Sequence, residues 1–236
     1  AARYTGCQIP ESLSIAVMSL LPCIEIEPKT SATAAVILLH GLGADGNDFV
    51  PMVPELRLPD HLGVRWIFPN APSIPVTINA GYTMPAWYDI KEIDIDRKID
   101  TAQLIDSAEK VRRLVDRETE RGIPAHRVVL AGFSQGGAVC YQCALTYMQP
   151  LAGLLCMSSY FATSDSLTPN AANKNLPILI CHGSQDPMVP ERMGRQADHT
   201  LSGMGYRTEF KSYPMQHEVS AAEIADVSRW LQEVLA

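Results

Sequence analysis

The sequence predicts an α/β fold with a mostly parallel central sheet covered by helices on both faces. Three observations carry this expectation. Short apolar runs of strand length alternate with longer runs of helical periodicity along almost the whole chain. The apolar runs are nearly continuous rather than alternating, as in strands buried on both faces. The chain has 236 residues, of which 47% are hydrophobic, enough to bury a large core.

The elements follow in order. Ala35-Val36-Ile37-Leu38-Leu39 is a short apolar run ending at His40-Gly41, and reads as a central strand. Val64 to Phe68 is a second strand, closed by Pro69-Asn70-Ala71-Pro72. Residues 73–99 read as irregular, with prolines at 75 and 85. A helix is expected after Asp100, whose side chain with Gln103 resembles a capping box. Leu104, Ala108, Val111 and Val115 share one face of it, and Gly122 and Pro124 stop it. Val128 to Ala131 is a strand and Ala138 to Met148 a helix. Gly153 to Met157 and Pro177 to Cys181 are further strands, the second ending at His182-Gly183. A helix over Pro190 to Ser202, a strand over Arg207 to Tyr213 and a final helix complete the chain. The final helix opens on a second capping box, Ser220 with Glu223, and Ile224, Val227, Leu231 and Val234 line its buried face. Residues 18–236 are expected to form a single domain. Residues 1–17 are read as an N-terminal extension or a leftover of cloning, with Met18 as the natural start.

Composition removes several classes of function. A net charge of −7 with no lysine or arginine cluster argues against a nucleic-acid partner. No run of about 18 apolar residues exists to span a membrane. Residues 13–26 are moderately apolar but contain Pro22, Glu25 and serines, and only Arg3 precedes them, so a signal peptide is not expected. Of the six cysteines, Cys140, Cys143, Cys156 and Cys181 fall within apolar patterns, which predicts buried free thiols and a cytoplasmic location. Cys140 and Cys143 have redox spacing, but they lie inside a helix rather than at an activating helix start.

The sequence Gly132-Phe133-Ser134-Gln135-Gly136 sits between a strand and a helix, the context of a nucleophile elbow. Glycine on both flanks permits a turn that side chains would obstruct. A serine hydroxyl needs a base, and the base needs an orienting carboxylate. In α/β-hydrolases these follow in the order serine, acid, histidine. Ser134, Asp186 and His217 satisfy that order. Asp186 lies in a turn-rich loop after a strand, and His217 between the last strand and the last helix. His182 is out of order, His61, His126 and His199 lie away from strand ends, and His40 is expected to shape its loop. The oxyanion needs two N–H donors. Gln135, which follows the nucleophile, supplies one, and Leu42 in the glycine-rich loop after the first strand is the candidate for the other. Neither a metal-ligand cluster nor a phosphate-binding glycine motif is present, so no metal or cofactor is expected.

Several motifs occur together and in order: Leu39-His40-Gly41-Leu42-Gly43, Pro69-Asn70-Ala71-Pro72, Trp87-Tyr88-Asp89, Gly132 to Gly137, His182-Gly183 with Asp186, and His217-Glu218. Over Met18 to Ala236 the chain resembles the carboxylesterase/phospholipase family that includes acyl-protein thioesterases. The segment Val76 to Ile90 looks most like its bacterial carboxylesterase branch. The resemblance implies an α/β-hydrolase fold without a separate cap domain, Ser134, Asp186 and His217 as the triad, and Leu42 and Gln135 as oxyanion donors. It also implies a serine carboxylesterase acting on small-molecule or lipid esters or thioesters, with acyl-protein thioesterase or lysophospholipase activity as the alternative, and a homodimer as a guess. Gln216 departs from the glycine that relatives often carry before the histidine.

The irregular stretch carries Ile74, Val76, Ile78, Tyr82, Met84 and Trp87. A long loop in a compact domain is often a binding loop. Ile78, Met84 and Trp87 are therefore expected to form an apolar wall for the acyl chain, with Met188 of the Asp186 loop beside them. The alternative is a satellite core cluster that covers the sheet.

Overall fold

The computed structural model of the protein describes residues 20–92 and 98–236. Residues 1–17, Met18 and Cys7 lie outside these. Seven strands form the main sheet: β1 (Cys23–Ile26), β2 (Ala34–Leu39), β3 (Val64–Pro69), β6 (Val128–Phe133), β7 (Gly153–Met157), β8 (Ile178–Gly183) and β9 (Thr208–Tyr213). Their order is β1-β3-β2-β6-β7-β8-β9, and all neighbours are parallel except β1 with β3. The helices are α1 (Met52–Leu56), α2 (Thr101–Glu120), α3 (Gln135–Thr146), α4 (Glu191–Gly203) and α5 (Ala221–Val234).

Strand side chains point alternately to the two faces, so each face has its own core. Ile37, Leu39, Leu130, Cys156 and Ile180 pack with Leu104 and Val111 of α2, Val139 of α3 and Leu201 of α4. Val36, Leu38, Val129, Leu155 and Leu179 pack with Leu56 of α1 and with Val227 and Leu231 of α5. The connection from β7 to β8 returns across the first of these cores and buries Tyr160, Phe161 and Leu176 in it. In register, Leu39 lies opposite Gly132, Phe133 opposite Met157, and Met157 opposite Cys181. The carboxyl ends of β2, β6, β7 and β8 therefore line up, and the loops leaving them meet in one place.

The structure revises four local expectations. Residues 73–99 contain a hairpin, β4 (Ser73–Val76) with β5 (Tyr82–Pro85), paired Ser73 to Pro85 and Val76 to Tyr82. Four-residue strands containing Pro75 and Pro85 have too little pattern to announce themselves. Strand β1 is equally short and half-buried, and was hidden for the same reason. Helix α3 begins at Gln135 rather than Ala138, because close packing at Gly136 and Gly137 outweighs their low helix propensity. Both capping boxes form only in one direction. Asp100 and Ser220 accept the N–H groups of Gln103 and Glu223, but the Gln103 carboxamide instead accepts from Asp89 N–H. The Glu223 carboxylate is buried, and among the described residues no donor meets hydrogen-bond geometry with it, although the Ser220 N–H lies near enough to offset part of the effect of burial.

Candidate active site

The nucleophile elbow is built from close contact and one strained residue. Ser134 has φ 53° and ψ −118°, a left-handed turn between β6 and α3. Its N–H is held by the Met157 carbonyl at 2.9 Å, and its own carbonyl by the Ser159 hydroxyl at 2.7 Å. A Cβ on Gly136 would lie 2.5 Å from the Leu39 carbonyl oxygen, and one on Gly132 would strike the Gly136 backbone at 2.5 Å. The glycines thus let α3 press against both β6 and the loop after β2. That close packing holds Ser134 in a conformation that would otherwise be costly.

His217 Nε2 lies 3.0 Å from Ser134 Oγ, and His217 Nδ1 lies 2.7 Å from Asp186 Oδ2. With Nδ1 protonated and donating to the carboxylate, Nε2 presents its lone pair to the serine hydroxyl. Asp186 is buried. Burial by itself would raise its pKa, but the His217 hydrogen bond and the N–H groups of Val189 and Met188 outweigh that and hold it below the ordinary range. The Phe133 ring packs 4.7 Å from the His217 ring and is itself 5.5 Å from Phe49, which limits where the imidazole can swing.

The two other histidines near the site are already engaged. His40 is buried; its Nδ1 donates to the Gly41 carbonyl at 2.7 Å and its Nε2 accepts Ala71 N–H at 3.1 Å. His182 Nε2 donates to the Val189 carbonyl at 2.8 Å and approaches Asp186 Oδ2 to 3.7 Å. Burial pushes both rings toward the neutral form. His40 shapes the loop that carries Leu42, as expected, and His182 props the turn that carries Asp186.

The loop after β2 is tied down around Leu42. Gly43 N–H donates to the Pro85 carbonyl at 2.8 Å, and Ala44 N–H to that of Gly41 at 3.3 Å. Gln135 N–H is the first of α3, where helical N–H groups have no acceptor within the helix. The Gln135 side chain has a second task absent from the sequence reading. Its carbonyl oxygen accepts Trp87 N–H at 2.8 Å and its amide donates to the Tyr88 carbonyl at 2.7 Å.

The expected apolar wall is only partly there. Beside Ser134 lies a cavity of about 470 Å³, lined by Leu42, Ile78, Ile90, Met188 and Val189 among others. Ile78 and Met188 are therefore on it. Trp87 is not: it is 1% exposed, and its indole N–H donates to the His40 carbonyl at 2.9 Å. Met84 is also off the cavity wall, lying under Gly43 and accepting a hydrogen bond from the Asn79 side chain. Both belong to the scaffold beneath the loop, because the hairpin folds onto that loop instead of extending over the serine. Ile90 and Val189 were not anticipated; each follows a motif residue by one to three positions and gave no separate signal.

Cys140, Cys143, Cys156 and Cys181 are buried and free, and burial raises all four thiols. Among the described residues no helix is long and apolar enough to cross a membrane.

Comparison with known proteins identifies the family. The family profile described as Phospholipase/Carboxylesterase matches residues 22–235. The chain is similar to a protein of Cryptococcus neoformans named acyl-protein thioesterase 1, with 35% identity over 234 residues covering 90% of this chain and 97% of the other. It is 37% identical to the acyl-protein thioesterase 1 of Gibberella zeae, covering 86% and 91%. Among solved structures, Arabidopsis thaliana SOBER1 superposes with a TM-score of 0.80 at 29% identity, covering 86% of this chain and 99% of the other. Zea mays acyl-protein thioesterase 2 does so with a TM-score of 0.80 at 27% identity, covering 91% and 99%. With the fold, the serine elbow and these relatives in agreement, the chain belongs to the phospholipase/carboxylesterase family of α/β-hydrolases and is a serine hydrolase of carboxylic esters or thioesters.

Proposed function

We propose that the protein is an acyl-protein thioesterase that removes medium or long acyl chains from cysteine side chains through an acyl-enzyme intermediate. The relatives named acyl-protein thioesterase favour this over the general carboxylesterase reading. The observation that carries it is the apolar cavity opening directly on Ser134, with Leu42 and Gln135 on its wall. An acyl chain fits there, whereas a small acetyl group would leave most of it unfilled.

The chemistry follows from the hydrogen bonds. Ser134 Oγ attacks the acyl carbon while His217 Nε2 takes its proton, and Asp186 stabilises the imidazolium. The N–H groups of Leu42 and Gln135 hold the oxyanion. The C–S bond then breaks, and the departing thiolate takes the proton from His217 Nε2. Water adds to the acyl-enzyme with His217 again as base, the acyl C–Oγ bond breaks, His217 Nε2 returns the proton to Ser134 Oγ, and the carboxylic acid leaves. The free thiols inside the fold suit a cytoplasmic site of action.

The test is hydrolysis of an S-octanoyl-cysteine peptide, p-nitrophenyl esters of increasing chain length and a lysophospholipid, with fluorophosphonate labelling. The thioester is expected to be the best substrate, with the label on Ser134 and Ser134→Ala inactive. A lysophospholipid turned over faster than the thioester would favour the lysophospholipase alternative, and labelling elsewhere would refute the mechanism.

A further inference from the structure

A second cavity, about 410 Å³, adjoins the acyl cavity at Phe133 and His217. It shares Asp48, Phe133 and His217 with the acyl cavity but touches neither Ser134 nor the two candidate oxyanion residues. That difference assigns its place in the reaction. The acyl chain and the leaving group diverge from one tetrahedral carbon bonded to Ser134 Oγ. The leaving group must receive the His217 Nε2 proton, so it exits on the side of the imidazole. The acyl chain takes the cavity beside the oxyanion donors, and the leaving group is left with the second.

This second cavity has an apolar floor and an acidic rim. Phe49 and Met52 are buried beneath it, and Ile224 stands at its wall. Asp48, Glu55 and Glu218 are exposed around it. Among the described residues none of the three forms an ion pair; Glu218 only accepts Gln216 N–H, at 3.4 Å. By contrast, Glu25 on β1, Glu27 just after it and Glu118 on α2 are paired with Arg65, Arg117 and Arg121. Two of the rim acids, Asp48 and Glu218, line the cavity together with His217, and Glu218 is the chain neighbour of that histidine. A lysine or arginine fits this combination: its methylene stem covers the apolar floor and its charge reaches the carboxylates.

We propose that this cavity is the leaving-group subsite and that it selects thioester peptides carrying a lysine or arginine next to the acylated cysteine. The proposal rests on the thioesterase reading above and adds the charge of the peptide to it.

The experiment compares S-octanoyl-cysteine peptides that differ only in the flanking residue, lysine, glutamine or glutamate. They are assayed on the wild type and on the Asp48→Asn/Glu218→Gln double variant, at low and high salt. The wild type is expected to prefer lysine over glutamine in kcat/KM by about fivefold at low salt, the scale of one or two exposed charge pairs, and to disfavour glutamate. In the double variant, and at high salt, the ratio is expected to fall to within about twofold, since exposed charge pairs are screened. Each ratio is taken on one enzyme, so a general loss of rate cancels. Hydrolysis without charge preference, or a preference that survives the double substitution, would overturn the subsite and leave the thioesterase reading intact. No thioester turnover by the wild type would instead overturn that reading. Choline esters preferred over their uncharged carbon analogues, with no preference among the peptides, would assign the acidic rim to a lipid headgroup and overturn the peptide proposal.

Discussion

Trp87 donates its indole N–H to the carbonyl oxygen of His40 at 2.9 Å, and so fixes the residue that begins the loop carrying Leu42. Trp87 N–H is in turn held by the Gln135 side chain, and its carbonyl accepts the Ser107 hydroxyl. The tryptophan is a strut between the two candidate oxyanion donors. Trp87→Phe keeps an aromatic ring but is smaller, so it leaves a cavity as well as a buried carbonyl without its donor, the latter at a cost of about 1–3 kcal/mol. The expected result is a lower melting temperature and a kcat reduced by about 10- to 100-fold, equally for acetyl and octanoyl esters. A loss confined to octanoyl esters would return Trp87 to the acyl wall.

Ile78 and Met188 are the residues whose truncation is expected to read acyl-chain length. Met188 is 57% exposed and lies at the edge of the cavity, so its removal hardly disturbs the core. Met188→Ala is expected to raise KM for octanoyl esters by about threefold to tenfold, the scale of a few lost methylene contacts, with acetyl esters unchanged. Steady-state kinetics across a chain-length series checks this. An equal rise for all chain lengths would mean that Met188 affects loop order instead.

Asp186→Asn removes the acceptor for His217 Nδ1–H while preserving shape. The imidazole then has no partner to fix the productive tautomer, and kcat is expected to fall by about 10³–10⁴-fold, as in other triads. Because the native carboxyl is held below its ordinary pKa, its contribution to stability is complete above the ordinary aspartate range. That contribution is lost as pH falls through the lowered native value. Melting curves from neutral to acid pH are expected to show a shallower acid decline for Asp186→Asn than for the wild type.

Glu223 has the opposite sign. Burial pushes its carboxyl up to about 8, against a smaller opposing pull from the Ser220 N–H. Between the ordinary glutamate range and pH 8 the native state holds a proton that the unfolded state has released, so stability falls as pH rises through this window. Glu223→Gln is expected to flatten that decline and to raise the melting temperature at pH 8. The gain is on the order of 3 kcal/mol at neutral pH. A variant that melts lower than the wild type at pH 8 would show that the carboxylate has a partner in solution.

What the sequence made legible was the part written in consecutive residues. The elbow, the strands that feed it and the order of Ser134, Asp186 and His217 each occupy short segments with strong local chemistry. The structure links those three side chains in a hydrogen-bonded chain through His217. The supports were not legible because their partners are distant in the chain. The Gln135 side chain reaches Trp87 and Tyr88 across the sheet end, and Pro85 reaches Gly43 from a hairpin too short to show a strand pattern. Trp87 illustrates the difficulty. A large apolar residue near a predicted site serves equally well as wall or strut, and only the direction of its indole N–H separates the two.

The two hydrogen bonds of His40 have a chemical consequence. Its Nδ1 proton is given to Gly41 and its Nε2 lone pair is taken by Ala71 N–H, so the ring has nowhere to accept another proton without losing a backbone bond. His182 is likewise buried and donates from Nε2. Three imidazoles lie around the reacting centre, yet only that of His217 has a ring nitrogen against the serine hydroxyl; burial disfavours the charged form of His40 and His182. Proton traffic at the serine therefore passes through one ring, and the other two serve as fixed braces for the loops on either side of it.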